Sequence, residues 1–246
     1  MASSTATYAN FQDRVQGFIN GLGDKYEPYV RTHLAKVYMV LGAATASTAV
    51  GAMLQLWGFI NLGLIAALAS LGLVLGLHFY RDDGKNYYTR FSMLMAFGFC
   101  SGQTLGPLML YIISINPSII ITALTGTVVT FVSLSLGALL AERGKYLFLG
   151  GLLVSVINTM AILSLFNMFF QSYFVQLAQL YVGVFVMAAF VVFDTQNIVE
   201  KCRAGNRDVV QHALDLFFDV LSMFRRLLII LTQKEERKRE ERRKRN

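Results

Sequence analysis

The 246-residue chain is poor in charge, proline and cysteine. Charged residues make up 15% of it, against roughly 25% in soluble domains. Its three prolines leave room for long uninterrupted helices. Its two cysteines, Cys100 and Cys202, imply no disulfide framework and no metal-binding pattern. No apolar stretch of the signal-peptide type precedes residue 37, so we expect no cleaved leader.

Motifs of the obvious enzyme classes are missing as well. The three histidines are scattered, so they form no HExxH zinc site. Gly144-Lys145 lacks the remaining residues of a phosphate-binding loop. Asp194 follows a phenylalanine rather than the tyrosine of a YD motif, and the apolar runs contain no GxGD motif of intramembrane aspartyl proteases. We therefore expect no enzymatic activity and no bound cofactor.

Long apolar runs are what the sequence has instead. Hydrophobic residues make up 55% of the chain, and a membrane-crossing helix needs about 20 mostly apolar residues. A seventh run, at 209–232, is apolar but contains two aspartates and two arginines. Six other runs qualify, and they lie at 37–57, 59–80, 91–113, 119–140, 146–170 and 177–198.

These runs are too long for barrel strands and do not alternate. We predict an all-α membrane protein with a bundle of six to seven transmembrane helices. The predicted organisation is an N-terminal segment at 1–36, the bundle at 37–232, and a basic tail at 233–246.

Lysine and arginine separate cleanly between the connections. They lie before the first run and after the second, fourth and sixth, and none lies after the first, third or fifth. The positive-inside rule therefore predicts a cytosolic N-terminus. Two alternatives stay open for the tail. A full crossing by the seventh run makes the tail lumenal, whereas a re-entrant seventh run keeps it cytosolic.

The net charge of +7 is concentrated in the tail, where four glutamates accompany eight of the 22 basic residues. Such a tail is usually solvated or lies against anionic lipid headgroups. No nucleic-acid-binding motif is present, so we expect no nucleic-acid partner. The eight basic residues are Lys234, Arg237, Lys238, Arg239, Arg242, Arg243, Lys244 and Arg245.

Three aspartates lie inside the apolar runs. Asp194 comes seven residues before Lys201, while Asp215 and Asp219 come seven and eleven residues after Asp208. At 1.5 Å per residue, all three lie roughly 10–17 Å in from the same loop. A charge at mid-bilayer costs roughly 2.5–3.5 kcal/mol on the insertion scale, so such groups usually face the bundle interior.

The short loop makes the sixth and seventh runs antiparallel neighbours, which brings the aspartates together. Two carboxylates that meet in a low dielectric share a proton, and when deprotonated they attract a cation such as Ca²⁺. Other interpretations stay open. Asp215 could cap the seventh helix near water, and Asp219 could pair with Arg225 or Arg226. Those arginines could instead anchor the helix at the interface.

Glycines recur every four residues on two of the runs. Gly72 and Gly76 lie on the second run, and Gly98, Gly102 and Gly106 lie on the third. Small residues at this spacing let helix backbones approach closely. We expect packing within one chain rather than a dimer interface.

Several motifs together resemble the transmembrane Bax inhibitor motif family. The likeness runs from about residue 33 to the basic tail and is greatest to animal members, in particular insect ones. The motifs are GQTLGP at 102–107, NPS at 116–118, YLFLGG at 146–151, VFDTQ at 192–196, IVEK at 198–201 and HALDLFFD at 212–219.

The resemblance implies an endoplasmic-reticulum membrane protein that suppresses cell death and lowers lumenal calcium through a pH-sensitive leak. In the family, an aspartate of the sixth span and one of the seventh form a proton-sharing pair that gates the pathway. Asp194 matches the first and Asp219 the second, while Asp215 matches a more variable polar position. Asp194 and Asp219 would hold the transported Ca²⁺ only transiently.

The resemblance also bears on the remaining basic residues and on partners. Bacterial relatives have an arginine on the second span that engages the pair; here the nearest basic candidates are His78 and Arg81. The tail would serve the pH response, and Arg243-Lys244 resembles a retrieval signal that requires a cytosolic tail. Expected partners are the lipid bilayer, Ca²⁺ and anti-apoptotic membrane proteins. The alternative is a non-channel scaffold that binds such proteins. No oligomeric state is predicted.

Overall fold

A computed structural model describes residues 25–245, and within that range every regular element is an α-helix. The described chain forms α1 Pro28–Leu56, α2 Gly63–Phe79, α3 Tyr87–Ile115, α4 Ser118–Leu140, α5 Leu149–Phe170, α6 Tyr173–Arg203 and α7 Val209–Arg245. The all-α architecture predicted from the apolar runs is confirmed. Each predicted run lies largely within its own helix.

The helices differ in how readily they cross a membrane. Five of them, α1 and α3 to α6, are long and apolar enough to do so. The apolar α2 has only 17 residues. The 37-residue α7 contains the aspartates and the basic tail in one continuous helix. A continuous helix cannot turn back, so the re-entrant alternative for the seventh run is excluded. The chain is a multi-pass membrane protein.

Helix α7 occupies the centre of the bundle. It packs against α1, α3, α4 and α6, whereas α2 packs mainly on α3 and α5 mainly on α6. Leu216, Met223 and Leu228 of α7 are fully buried. The helix with the most polar sequence is thus surrounded by apolar ones, which shield its acidic groups from lipid.

Close backbone packing joins α1 to α3. A Cβ atom added at Gly102 would lie 2.0 Å from the carbonyl oxygen of Thr48, and one at Gly98 would lie 2.7 Å from that of Ala44. The third-run glycines therefore serve packing within the chain, as predicted. Gly72 on α2 differs, because a Cβ atom there would meet nothing within 4 Å.

The connections after α2, α4 and α6 lie at one end of the bundle together with the start of α1; we call this the basic-loop end. Tyr26 donates from its hydroxyl to the Leu139 carbonyl at 2.6 Å, and Arg203 pairs with Glu27 at 3.1 Å. The charge pattern predicted that these segments share one side.

The C-terminal part of α7 lies at the opposite end, which we call the tail end. There Arg237 donates to the Tyr173 hydroxyl at 2.6 Å, and Arg239 donates to the Ile115 carbonyl. The predicted tail at 233–246 therefore continues α7 as far as Arg245. Similarly, the last part of the predicted N-terminal segment is already the first two turns of α1.

Candidate functional site

The site begins with the turn that joins α6 to α7. Gly205 has φ +95°, a left-handed conformation that suits glycine and ends α6. Asp208 then accepts a hydrogen bond from the Gln211 backbone N–H at 2.9 Å and so caps α7. This short turn makes α6 and α7 antiparallel neighbours. The interpretation of Asp215 as the cap is wrong, because Asp208 holds that position.

Asp194 of α6 and Asp219 of α7 meet across this pair of helices. Their carboxyl groups lie within hydrogen-bonding reach of each other. Asp219 is 4% exposed, and its Oδ2 atom is buried without a hydrogen-bond donor among the described residues. A proton held between the two carboxyls would supply the O–H donor that neither ionised group has.

Asp215 lies one turn nearer the basic-loop end and has other partners. Its Oδ1 atom accepts from the Gln211 amide at 3.0 Å, and its Oδ2 atom lies 3.9 Å from the Lys201 ammonium. Asp219, rather than Asp215, is therefore the α7 carboxylate that faces Asp194.

The arginines of α7 do not neutralise Asp219. Arg226 donates to the Gln179 carbonyl of α6 at 2.9 Å, and Arg225 is exposed. No ion pair of Asp219 with either arginine occurs in the described chain. The interpretation that paired Asp219 with an arginine is wrong, since Arg226 bonds to α6 and Arg225 is exposed.

A polar vestibule of about 730 Å³ opens at the basic-loop end and reaches Asp215. His78 and Arg81, the candidates for replacing the bacterial arginine, line this vestibule. Its wall also includes Arg90, which is 2% exposed and pairs with Asp208 at 2.5 Å. Charged groups therefore surround the approach to the aspartates from this end.

An apolar cleft lies on the other side of the aspartates. Phe217 and Val220, which lie two residues before and one residue after Asp219, line this cleft. Asp219 thus lies between a polar vestibule and an apolar space, and its own surroundings are buried.

The two facing carboxylates are too few to form a closed metal site. Ca²⁺ takes about six to eight oxygen ligands, and two carboxylates supply at most about four. No group of three or more His, Cys, Asp or Glu side chains suited to a metal occurs in residues 25–245. Asp194 and Asp219 can therefore contribute ligands to a passing Ca²⁺ ion only together with water or displaced protein groups.

The predicted regulatory tail is an exposed helical extension at the tail end. Arg239 lies 3.9 Å from Glu235, one turn back. The remaining basic residues are exposed, namely Lys234, Lys238, Arg242, Arg243, Lys244 and Arg245. Because the tail end and the basic-loop end are opposite, a cytosolic N-terminus would place this tail on the non-cytosolic side of the membrane. The retrieval-signal expectation for Arg243-Lys244 is incompatible with that orientation.

Two buried polar contacts near the basic-loop end were not predicted. The ring nitrogens of His33 and His212 lie 2.9 Å apart, although 179 residues separate them in sequence. The side-chain amide of Gln196 accepts from the Tyr146 N–H at 2.8 Å and donates to the Ala138 carbonyl at 3.1 Å. His33 lies just before the first run and His212 near the start of the seventh. The charge pattern puts both of these ends on the same side of the membrane, so it could have indicated that the two histidines lie at the same depth.

Comparison with known proteins gives consistent matches over most of the chain. Residues 30–236 match the family model described as inhibitor of apoptosis-promoting Bax1. The chain is 78% identical over 227 residues to Bax inhibitor 1 of Drosophila melanogaster, covering 92% of both chains. It is 42% identical over 203 residues to Bax inhibitor 1 of Sus scrofa, covering 82% of this chain and 86% of that one. The expected likeness to insect members is confirmed.

Proposed function

The chain belongs to the Bax inhibitor family of apoptosis-suppressing membrane proteins, and from that premise we propose that it is a pH-sensitive calcium leak of the endoplasmic reticulum. In this proposal the Asp194–Asp219 pair is the gate. Ca²⁺ is the transported ion and passes from the lumen to the cytosol. The observation that carries the proposal is the meeting of two carboxyl groups inside the bundle.

The shared proton keeps the gate closed. While the proton bridges the carboxyls, the hydrogen bond holds α7 against α6. Loss of the proton leaves two like charges in a low dielectric, where their repulsion is strong. Separation of α6 from α7 then connects the vestibule with the far side of the bundle. The freed carboxylate oxygens suit Ca²⁺, which prefers oxygen ligands.

The test is Ca²⁺ flux through the purified full-length protein in liposomes over a series of pH values. We expect wild-type flux to change with pH. Asp194→Asn and Asp219→Asn should abolish that change, because an amide cannot gain or lose the shared proton. Asp83→Asn is the matched control, since Asp83 lies in the α2–α3 connection and accepts only from nearby backbone N–H groups in the described chain. Unchanged pH profiles in both gate variants would refute the mechanism.

A second candidate is the membrane scaffold. Helix α5 buries only Leu153 among its 22 residues, and it packs mainly on α6. Large apolar side chains such as Phe166 and Phe169 are exposed, which leaves a broad helix face for lipid or for an anti-apoptotic membrane protein. A purified protein that passes no Ca²⁺, yet protects cells through a bound partner, favours this function over the leak.

A further inference from the structure

An apolar cleft of about 390 Å³ lies between α1 and α4 in the half of the bundle towards the tail end. Ala49 and Met53 of α1 form one wall, and Leu124 and Val128 of α4 form the other. The floor is α7, which packs against both helices. All four wall residues are exposed at the bundle surface. The cleft therefore opens sideways between two helices that can each cross a membrane.

The cleft offers no free polar group to a ligand, although three threonines line it. Thr45 donates from its hydroxyl to the Gly42 carbonyl at 2.8 Å, and Thr48 donates to the Ala44 carbonyl at 2.9 Å. Thr127 donates to the Ala123 carbonyl at 2.8 Å. Each hydroxyl is thus satisfied by its own helix, and the methyl groups remain for packing. The lining therefore favours hydrocarbon and offers no hydrogen-bonding group to water or to a lipid headgroup.

The size and position of the cleft identify its occupant. An apolar cavity of about 150 Å³ already stays dry and binds a small hydrocarbon, and this cleft is larger. Leu56 and Ile120, at its far edge, are close to the tail-end termini of α1 and α4. The material outside the opening is therefore the hydrocarbon layer of the adjacent leaflet. Filling the cleft restores dispersion contacts that an empty space forfeits.

We propose that an acyl chain of a membrane phospholipid enters this cleft sideways from the leaflet at the tail end and packs against α7. The acyl chain reaches Val220 and Leu221, and Val220 follows Asp219 directly in the sequence. The proposal of this lipid-binding site rests on the lining, size and position of the cleft, and it does not depend on the proposed calcium leak.

The experiment uses the full chain in phosphatidylcholine vesicles that contain a phosphatidylcholine analogue with a photoreactive diazirine midway along one acyl chain. After illumination, mass spectrometry locates the labelled residues. Leu64 of α2 is 75% exposed and serves as the reference for ordinary lipid contact. We expect label on Leu64 and also on Val220 or Leu221, which are only partly exposed on the cleft floor.

Two pairs of variants test whether the floor label comes through the cleft. Ala49→Phe fills the cleft, whereas Ala46→Phe adds the same ring at an exposed alanine of α1 outside the lining. Val128→Phe and Val129→Phe form the corresponding pair on α4. The cleft variants should lose the floor label and keep the Leu64 label, and the outer variants should keep both.

Three outcomes would overturn the proposal. The first is a wild-type protein labelled on Leu64 but not on the floor. The second is floor labelling that persists in both cleft variants. The third is floor label that the outer variants lose to the same extent as the cleft variants. If one cleft variant fails to fold, the variant from the opposite wall still decides.

Discussion

Replacing Gly102 by alanine should separate the first and third helices. The new Cβ atom would lie 2.0 Å from the Thr48 carbonyl oxygen and 2.7 Å from the Ala52 nitrogen, whereas ordinary contact begins at 3.4 Å. The obstructing atoms belong to the α1 backbone, so no side-chain rotation relieves the overlap. Helix α1 must move away by about 1.4 Å, and this opens the contacts along the whole seam.

Overpacking of this kind costs about 1–3 kcal/mol. For a chain of this size, each kcal/mol lowers the melting temperature by about 2–4 °C. We therefore expect Gly102→Ala to melt roughly 2–12 °C below wild type in detergent micelles, as followed by far-ultraviolet circular dichroism.

Gly42→Ala is the matched control for this experiment. Gly42 lies within α1, and a Cβ atom there meets nothing within 4 Å. Alanine favours helix over glycine, so this variant should melt at or slightly above the wild-type temperature. If Gly102→Ala melts with wild type, the close α1–α3 contact is refuted.

Three further predictions concern the basic-loop end, each read as a shift in melting temperature. Arg90→Met should destabilise the protein by about 3–5 kcal/mol, because it leaves Asp208 without its buried partner; an unchanged melt would contradict the pair. His212→Ala should cost about 1–3 kcal/mol, since it leaves a His33 ring nitrogen unbonded; equal stability would show that the contact contributes nothing. For Glu27, its own backbone N–H and an adjacent guanidinium lower the pKa of the carboxyl below 4.5. A carboxyl group whose pKa is lower in the folded than in the unfolded state stabilises the fold at pH values above its unfolded pKa. This stabilisation is lost as the pH falls through the folded pKa. At pH 7, Glu27→Gln should therefore melt below wild type, and this difference in melting temperature should shrink below pH 4.5. A difference that does not change with pH would contradict this linkage.

The sequence was sufficient to predict the helices and the depth of the three aspartates, because both follow from distances along one chain. The apolar runs predicted the helices, since hydrocarbon thickness fixes their length. Counting residues from one short loop placed Asp194 level with the aspartates of α7. That count could not choose between Asp215 and Asp219, because the choice depends on how α6 and α7 rotate against each other.

Other contacts depend on packing between helices that are far apart in sequence. His33 and His212 meet only because α1 lies beside α7, and no local pattern specifies that neighbour. The side of the tail could not be predicted either, since its basic charge favoured one side and the length of the run favoured the other. The helix from Val209 to Arg245 is continuous, so the seventh run has no turn at which it could re-enter.

That same helix connects the buried interior of the bundle to an exposed segment at the tail end. Its 37 residues form a rod about 55 Å long, with Asp219 near one end and the basic extension at the other. A rod of this kind transmits displacement with little loss. A force applied to the extension, for example by a phospholipid surface that draws its arginines, would move the buried carboxylate in the same step.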